Sequence, residues 1–278
     1  MFRSKQANRE TLRIGVMLAL IGAVLAGCAP TPGPKLQAPQ PSPVAPWTAA
    51  IGELDAGTED PHCSAVLVEP DLIATAAHCL FLNNAKAAVR PGDLVFRPNL
   101  GGLPAFPPSR GIAFRGLGGV IRGGKLRNED VPNDWALITV SPPVVGVQPL
   151  PVASLPISGM LRLVQSGDRL VTAGYGNGAY DELRLHSPCR IIPQSELGMF
   201  PDDTMLITSC IFRAGDSGGP ILLVDGAGEP ALIGIISGFG RKPHSTEPVG
   251  IGVNAGVFLP YIGPGGAPKP GAKIAATN

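Results

Sequence analysis

Apolar residues in this chain come in short runs, each closed by Gly, Pro, Asn or Asp: 64–68, 72–76, 135–140, 161–164, 170–173, 205–209, 220–223 and 231–237. Runs of this length with turn residues on both flanks predict the strands of an all-β sandwich or barrel. No long stretch has apolar residues at helical spacing, so no long amphipathic helix is expected. The Pro- and Gly-rich stretch 97–115 predicts a long surface loop, and the absence of a fixed repeat period argues against a solenoid.

One apolar run differs in kind. Residues 14–25 follow a basic segment carrying Arg3, Lys5, Arg9 and Arg13 and lead into Leu25-Ala26-Gly27-Cys28. A basic start, a short apolar stretch and small residues at the exit predict a secretory signal peptide, too short to span a bilayer comfortably. The exit resembles the bacterial lipobox, which implies cleavage before Cys28 and acylation of its thiol. The alternative is an ordinary signal peptide with a cysteine near its end. Ala29 after the cysteine implies sorting to the outer membrane if the cell is Gram-negative, so the expected location is the cell envelope, facing periplasm or exterior. Residues 29–46 hold seven prolines and predict an extended tether, and 264–278 is a Gly/Pro/Ala-rich tail expected to be disordered. The expected organisation is signal peptide 1–27, lipidated Cys28 with tether to 46, folded domain 47–263 and tail 264–278.

Composition agrees with this picture. Gly (37) and Pro (31) make up about a quarter of the 278 residues, as a turn-rich β fold requires. The net charge is +1 with scattered basic residues, so no nucleic-acid partner is expected. Five cysteines is an odd number, and removing Cys28 leaves four that can pair in an oxidising compartment.

The candidate chemistry lies in three short motifs. Gly215-Asp216-Ser217-Gly218-Gly219-Pro220 offers a nucleophilic hydroxyl among glycines that permit a tight turn and bring backbone N–H groups to an oxyanion. Ala74-Thr75-Ala76-Ala77-His78-Cys79 supplies a base with small neighbours, and Asn133-Asp134-Trp135-Ala136-Leu137 a carboxylate to orient the imidazole.

In these motifs, and in their order His78, Asp134, Ser217, the chain resembles the trypsin/chymotrypsin family over nearly all of 47–263. The resemblance implies two six-stranded antiparallel β-barrels with the active site between them, and peptide hydrolysis by a serine endopeptidase acting on protein or peptide substrates. It implies an oxyanion hole from the N–H groups of Gly215 and Ser217, no cofactor and no metal. It further implies a Cys63–Cys79 disulfide beside the histidine, leaving Cys189 and Cys210 for the second, and likens Gly174-Tyr175-Gly176 to the family's Gly-Trp-Gly turn. The substrate-binding candidates are Ile211 at the base of the primary pocket, Phe212 filling part of it, and Ser237-Gly238-Phe239 along its wall. Together these imply a small or apolar residue before the scissile bond.

In the family Asp216 pairs with an N-terminal amine released by tryptic cleavage. Ala50 precedes Ile51-Gly52 here, so hydrogen bonds or an internal cation such as an arginine are expected to satisfy the carboxylate instead. His62, His186 and His244 have no partner at metal-ligand spacing and are expected to be surface or turn residues. Trp47 and Trp135 are expected to anchor the core. A second function class, a protease-like domain kept as a binding or adhesion module, is disfavoured by the complete set of catalytic residues.

Overall fold

The computed structural model describes residues 45–57, 63–81, 88–98, 106–119, 128–176, 182–197 and 202–263, all within the compact unit Val44–Asn278. Cys28 and the expected signal peptide, tether and tail, together with His62, lie outside the described residues.

Six strands form the first half: β1 (Ile51–Asp55), β2 (Cys63–Glu69), β3 (Leu72–Thr75), β4 (Val95–Pro98), β5 (Ser109–Leu117) and β6 (Ala136–Ser141). They pair antiparallel in the order β1-β2-β3-β6-β5-β4, and β4 returns to β1 to close a barrel. Closure removes the unpaired edges an open sheet would present. The second half holds β7 (Arg169–Gly174), β8 (Arg184–Cys189), β9 (Met205–Thr208), β10 (Pro220–Val224), β11 (Pro230–Arg241) and β12 (Pro248–Asn254). Its order is β8-β7-β10-β11-β12-β9. The two outer strands are brought together by a single bridge, Ile191 to Thr208, and by the Cys189–Cys210 disulfide beside it. The chain thus has the chymotrypsin-like two-barrel architecture, the second barrel being joined at its seam by far fewer bonds than the first.

Seven of the eight apolar runs fall on strands. The eighth, 161–164, lies in a helix, α1 (Ile157–Gln165). Ile157, Met160, Leu161 and Val164 recur at helical spacing and pack on Leu170, Ile191 and Leu206, so their common face rather than the length of the run decides the conformation. The loop expected over 97–115 is also corrected, since β4 ends within it and β5 begins within it. Register shifts between Gly111 and Ala113 and between Phe114 and Gly116 interrupt the two-residue alternation of β5, which hides the strand from a periodicity search.

The Cys63–Cys79 disulfide ties the start of β2 to the turn after β3 across 16 residues. Closing a loop of that size in the unfolded chain is worth about 3 kcal/mol. The double variant Cys63→Ala/Cys79→Ala is expected to lose about that much stability in urea unfolding. An unchanged midpoint would show the bridge to be energetically idle.

Candidate active site

His78 follows β3 in a short 3-10 turn, Ala77–Leu80, and Asp134 immediately precedes β6. Because β3 and β6 are neighbours, with Thr75 opposite Ala136, the two side chains meet. One oxygen of the fully buried Asp134 accepts from the His78 backbone N–H at 2.8 Å, and the other lies 2.8 Å from the ring Nδ1. Two contacts to one residue fix both the position of the imidazole and its tautomer, leaving Nε2 for proton transfer. Trp135, the next residue, stacks on Tyr261 with ring centroids 5.4 Å apart, which holds the start of β6 against the C-terminal segment.

A third group reaches the carboxylate from the other barrel. The register of β11 against β12 slips between Ile236 and Gly238, and the hydroxyl of the intervening Ser237 donates to Asp134 Oδ2 at 2.5 Å. A bulge re-aims a side chain in this way. Burial would lower the pKa of His78, but the charge of Asp134 and its hydrogen bond to the ring raise it, and the net direction is upward from 6.5. The imidazolium that forms when the ring accepts a proton is therefore stabilised.

Ser217 sits in a turn held by both barrels. Its carbonyl accepts from the Ser64 N–H at 2.7 Å, and the Gly218 N–H donates to Ile236 O at 2.8 Å. Gly215 and Gly218 have φ of +99° and +81°, where a side chain is strained. A Cβ on Gly218 would also collide with the Ser64 carbonyl and the Thr75 hydroxyl, and one on Gly215 would lie 2.7 Å from Tyr175 O. The hydroxyl of Ser64 accepts from Tyr175 N at 2.9 Å and donates to Gly215 O at 2.8 Å, which turns that carbonyl inward. Among the described residues no hydrogen bond joins the Ser217 hydroxyl to the His78 ring. Such contacts commonly tighten only when substrate binds.

Asp216 points into the protein. Its carboxylate accepts from the N–H groups of Gly176 (2.9 Å) and Arg213 (2.8 Å). The Gly174 and Gly176 pair makes room for it, since a Cβ on either would lie within 2.6 Å of Asp216 Oδ1. The side chain facing it is His186, with Nε2 3.6 Å from Oδ2, and among the described residues no arginine side chain takes that place. His186 is thus no surface or turn histidine: it lies on β8 with its ring turned inward. Ile51, the residue considered as a new terminus, is buried inside β1 and paired with Val66.

The trypsin family model matches residues 36–262. The chain belongs to the trypsin family. Family membership makes it a serine protease. No curated protein matches it.

Within this trypsin-family fold the expected pocket residues divide. Ile211 is 55% exposed, while Phe212 is 3% exposed and turns inward. Successive side chains of an extended segment face opposite ways, and spacing from Ser217 alone does not say which of the two points in. The Phe212 ring lies against Gly250 of β12, where a Cβ would come within 2.5 Å of it, and packs with Leu206, Ile221 and Ile236. Gly238 has open space above its Cα, and Phe239 is 67% exposed. The Ser237 hydroxyl is turned toward Asp134.

Cys63, His78 and Cys79 place potential ligand atoms within 4.8 Å of one another, but both sulfurs are committed to the disulfide and offer no thiolate to a metal. Nothing in the sequence singles out Ser64, and it marks His186 only as a surface or turn residue. A hydroxyl beside a half-cystine and a lone histidine in a polar segment carry no local signal, and each acquires meaning only from a partner more than 25 residues away.

Proposed function

We propose that the chain is an exported serine endopeptidase, lipid-anchored at Cys28, that cleaves protein or peptide substrates after small or apolar residues. The observation that supports the hydrolytic part of this reading is the His78–Asp134 pair on one barrel and the glycine-bracketed Ser217 of the other. In this reading His78 takes the Ser217 proton as the hydroxyl oxygen attacks the scissile carbonyl carbon. The N–H groups of Gly215 and Ser217 receive the developing oxyanion, and His78 returns the proton to the leaving amine. Water then releases the acyl group by the same steps in reverse. A mixed peptide library incubated with residues 29–278, with cleavage sites read by mass spectrometry, tests the reading.

In this reading Phe212 sets the preference, its ring filling the space beside Gly250 and so limiting the side chain before the scissile bond. Phe212→Ala is expected to raise kcat/KM for Leu or Phe before the scissile bond, relative to Ala, by roughly 10- to 200-fold. An unchanged ratio would place the specificity determinant elsewhere.

Acylation at Cys28 would leave the domain at the cell envelope on its proline-rich tether. Cys28→Ser is expected to move the protein from the membrane fraction to the soluble fraction; retention in the membrane would refute the anchor.

The buried Phe212 ring against Gly250 is the one observation that favours a protease-like binding module instead. Fluorophosphonate labelling of Ser217 separates the two, since a folded protein that never labels is not a hydrolase of this mechanism.

A further inference from the structure

We propose that His186 is a positioning residue of the active site: its imidazole, paired with the buried Asp216 carboxylate, holds the backbone of Gly215 and Ser217 in place. The inference rests on the protease reading and adds what keeps its oxyanion loop in shape.

The Asp216 side chain is only 1% exposed. A carboxylate so placed is costly unless it is hydrogen-bonded and paired. Two backbone N–H groups satisfy part of it, and the His186 ring nitrogen faces the remaining side at 3.6 Å. That nitrogen, Nε2, is itself buried and has no hydrogen-bond partner among the described residues. A lone pair aimed at an anion would be repelled, so Nε2 carries the proton, and its attraction for the carboxylate is what the arrangement supplies.

The surroundings give the ring no competing anion among the described residues. On its own strand Arg184 lies two residues away, with Nη2 3.7 Å from Glu182 Oε2 and its buried Nε unpartnered. Opposite on β7 is Thr172, whose buried hydroxyl is also unpartnered, and Gly174. From the loop after β9 come Asp216 and Arg213, the latter offering its N–H while its side chain is exposed. Asp216 lies between the two residues whose N–H groups face the oxyanion, so whatever moves its side chain moves both donors.

The test uses residues 29–278 with His186→Leu, which keeps the volume and removes the ring nitrogens, and His186→Lys, which supplies an N–H donor again. For Ser217-dependent hydrolysis, His186→Leu is expected to lower kcat on the order of 100-fold, the scale of losing one oxyanion donor, with KM within about twofold. His186→Lys is expected to recover most of that loss. A merely structural role would leave no kcat-specific defect and no rescue by lysine. Equal kcat in wild type and His186→Leu would overturn the proposal while leaving the protease reading intact. Should wild type itself prove inactive, urea unfolding of His186→Leu, Asp216→Asn and the double variant still decides. Coupling of about tenfold in the unfolding constant supports the pair, and additive effects refute it.

Discussion

Ser217→Ala is expected to abolish peptide hydrolysis, with a fall in kcat on the order of a million-fold. The hydroxyl is the only group on the turn between Gly215 and Gly218 able to form the acyl intermediate, and alanine cannot replace it. The fold should survive, because Ser217 contributes its carbonyl and not its hydroxyl to the bond with Ser64. Steady-state rates for wild type and variant on one peptide, with matched unfolding curves, check both halves. Residual cleavage above a thousandth of wild type in the folded variant would mean that another nucleophile does the work.

Asp134→Asn is expected to cost on the order of 10,000-fold in kcat. An amide can donate to His78 Nδ1 and so favours the wrong tautomer, and it removes the charge that stabilises the imidazolium. The pH profile should move as well. Activity requires the neutral ring, and the His78 pKa is raised by Asp134 against the opposing effect of burial, so wild-type activity should grow as pH rises through a value above 6.5. Without the carboxylate that limb should shift to lower pH while the plateau falls. The same shift has a consequence for stability. A ring with a raised folded-state pKa contributes stability that is fully present below its unfolded value and is lost as pH rises through the folded one. A limb at the same pH in both proteins would show that Asp134 does not control the titration.

The reach of local pattern can be traced element by element. Strands such as β2, β10 and β11 show themselves because one residue type, the aliphatic, fills consecutive positions between turn residues. The strand β5 does not, because two register shifts break its alternation, and β8 does not, because all six of its residues are partly or fully exposed. The helix α1 is misread for a related reason: Leu161, Leu163 and Val164, with Arg162 between them, look the same in either conformation until their neighbours' contacts are known.

The site divides along the same line. The segments around His78, Asp134 and Ser217 stood out as candidates, since each sits in a contiguous motif whose residue types are dictated by local backbone needs or by the chemistry itself, while the Cys63–Cys79 bridge was implied only by the family resemblance. What the amino-acid sequence by itself determined was the class of fold and the order of the candidate reacting groups. Tertiary structure alone decided that Phe212 and not Ile211 turns inward, that Ser237 serves Asp134, and that His186 rather than an arginine faces Asp216. These outcomes depend on which way a side chain points and on what another strand brings to meet it. Neither is set by the few residues on either side, because strand facing and pairing register are fixed by packing across the whole sheet.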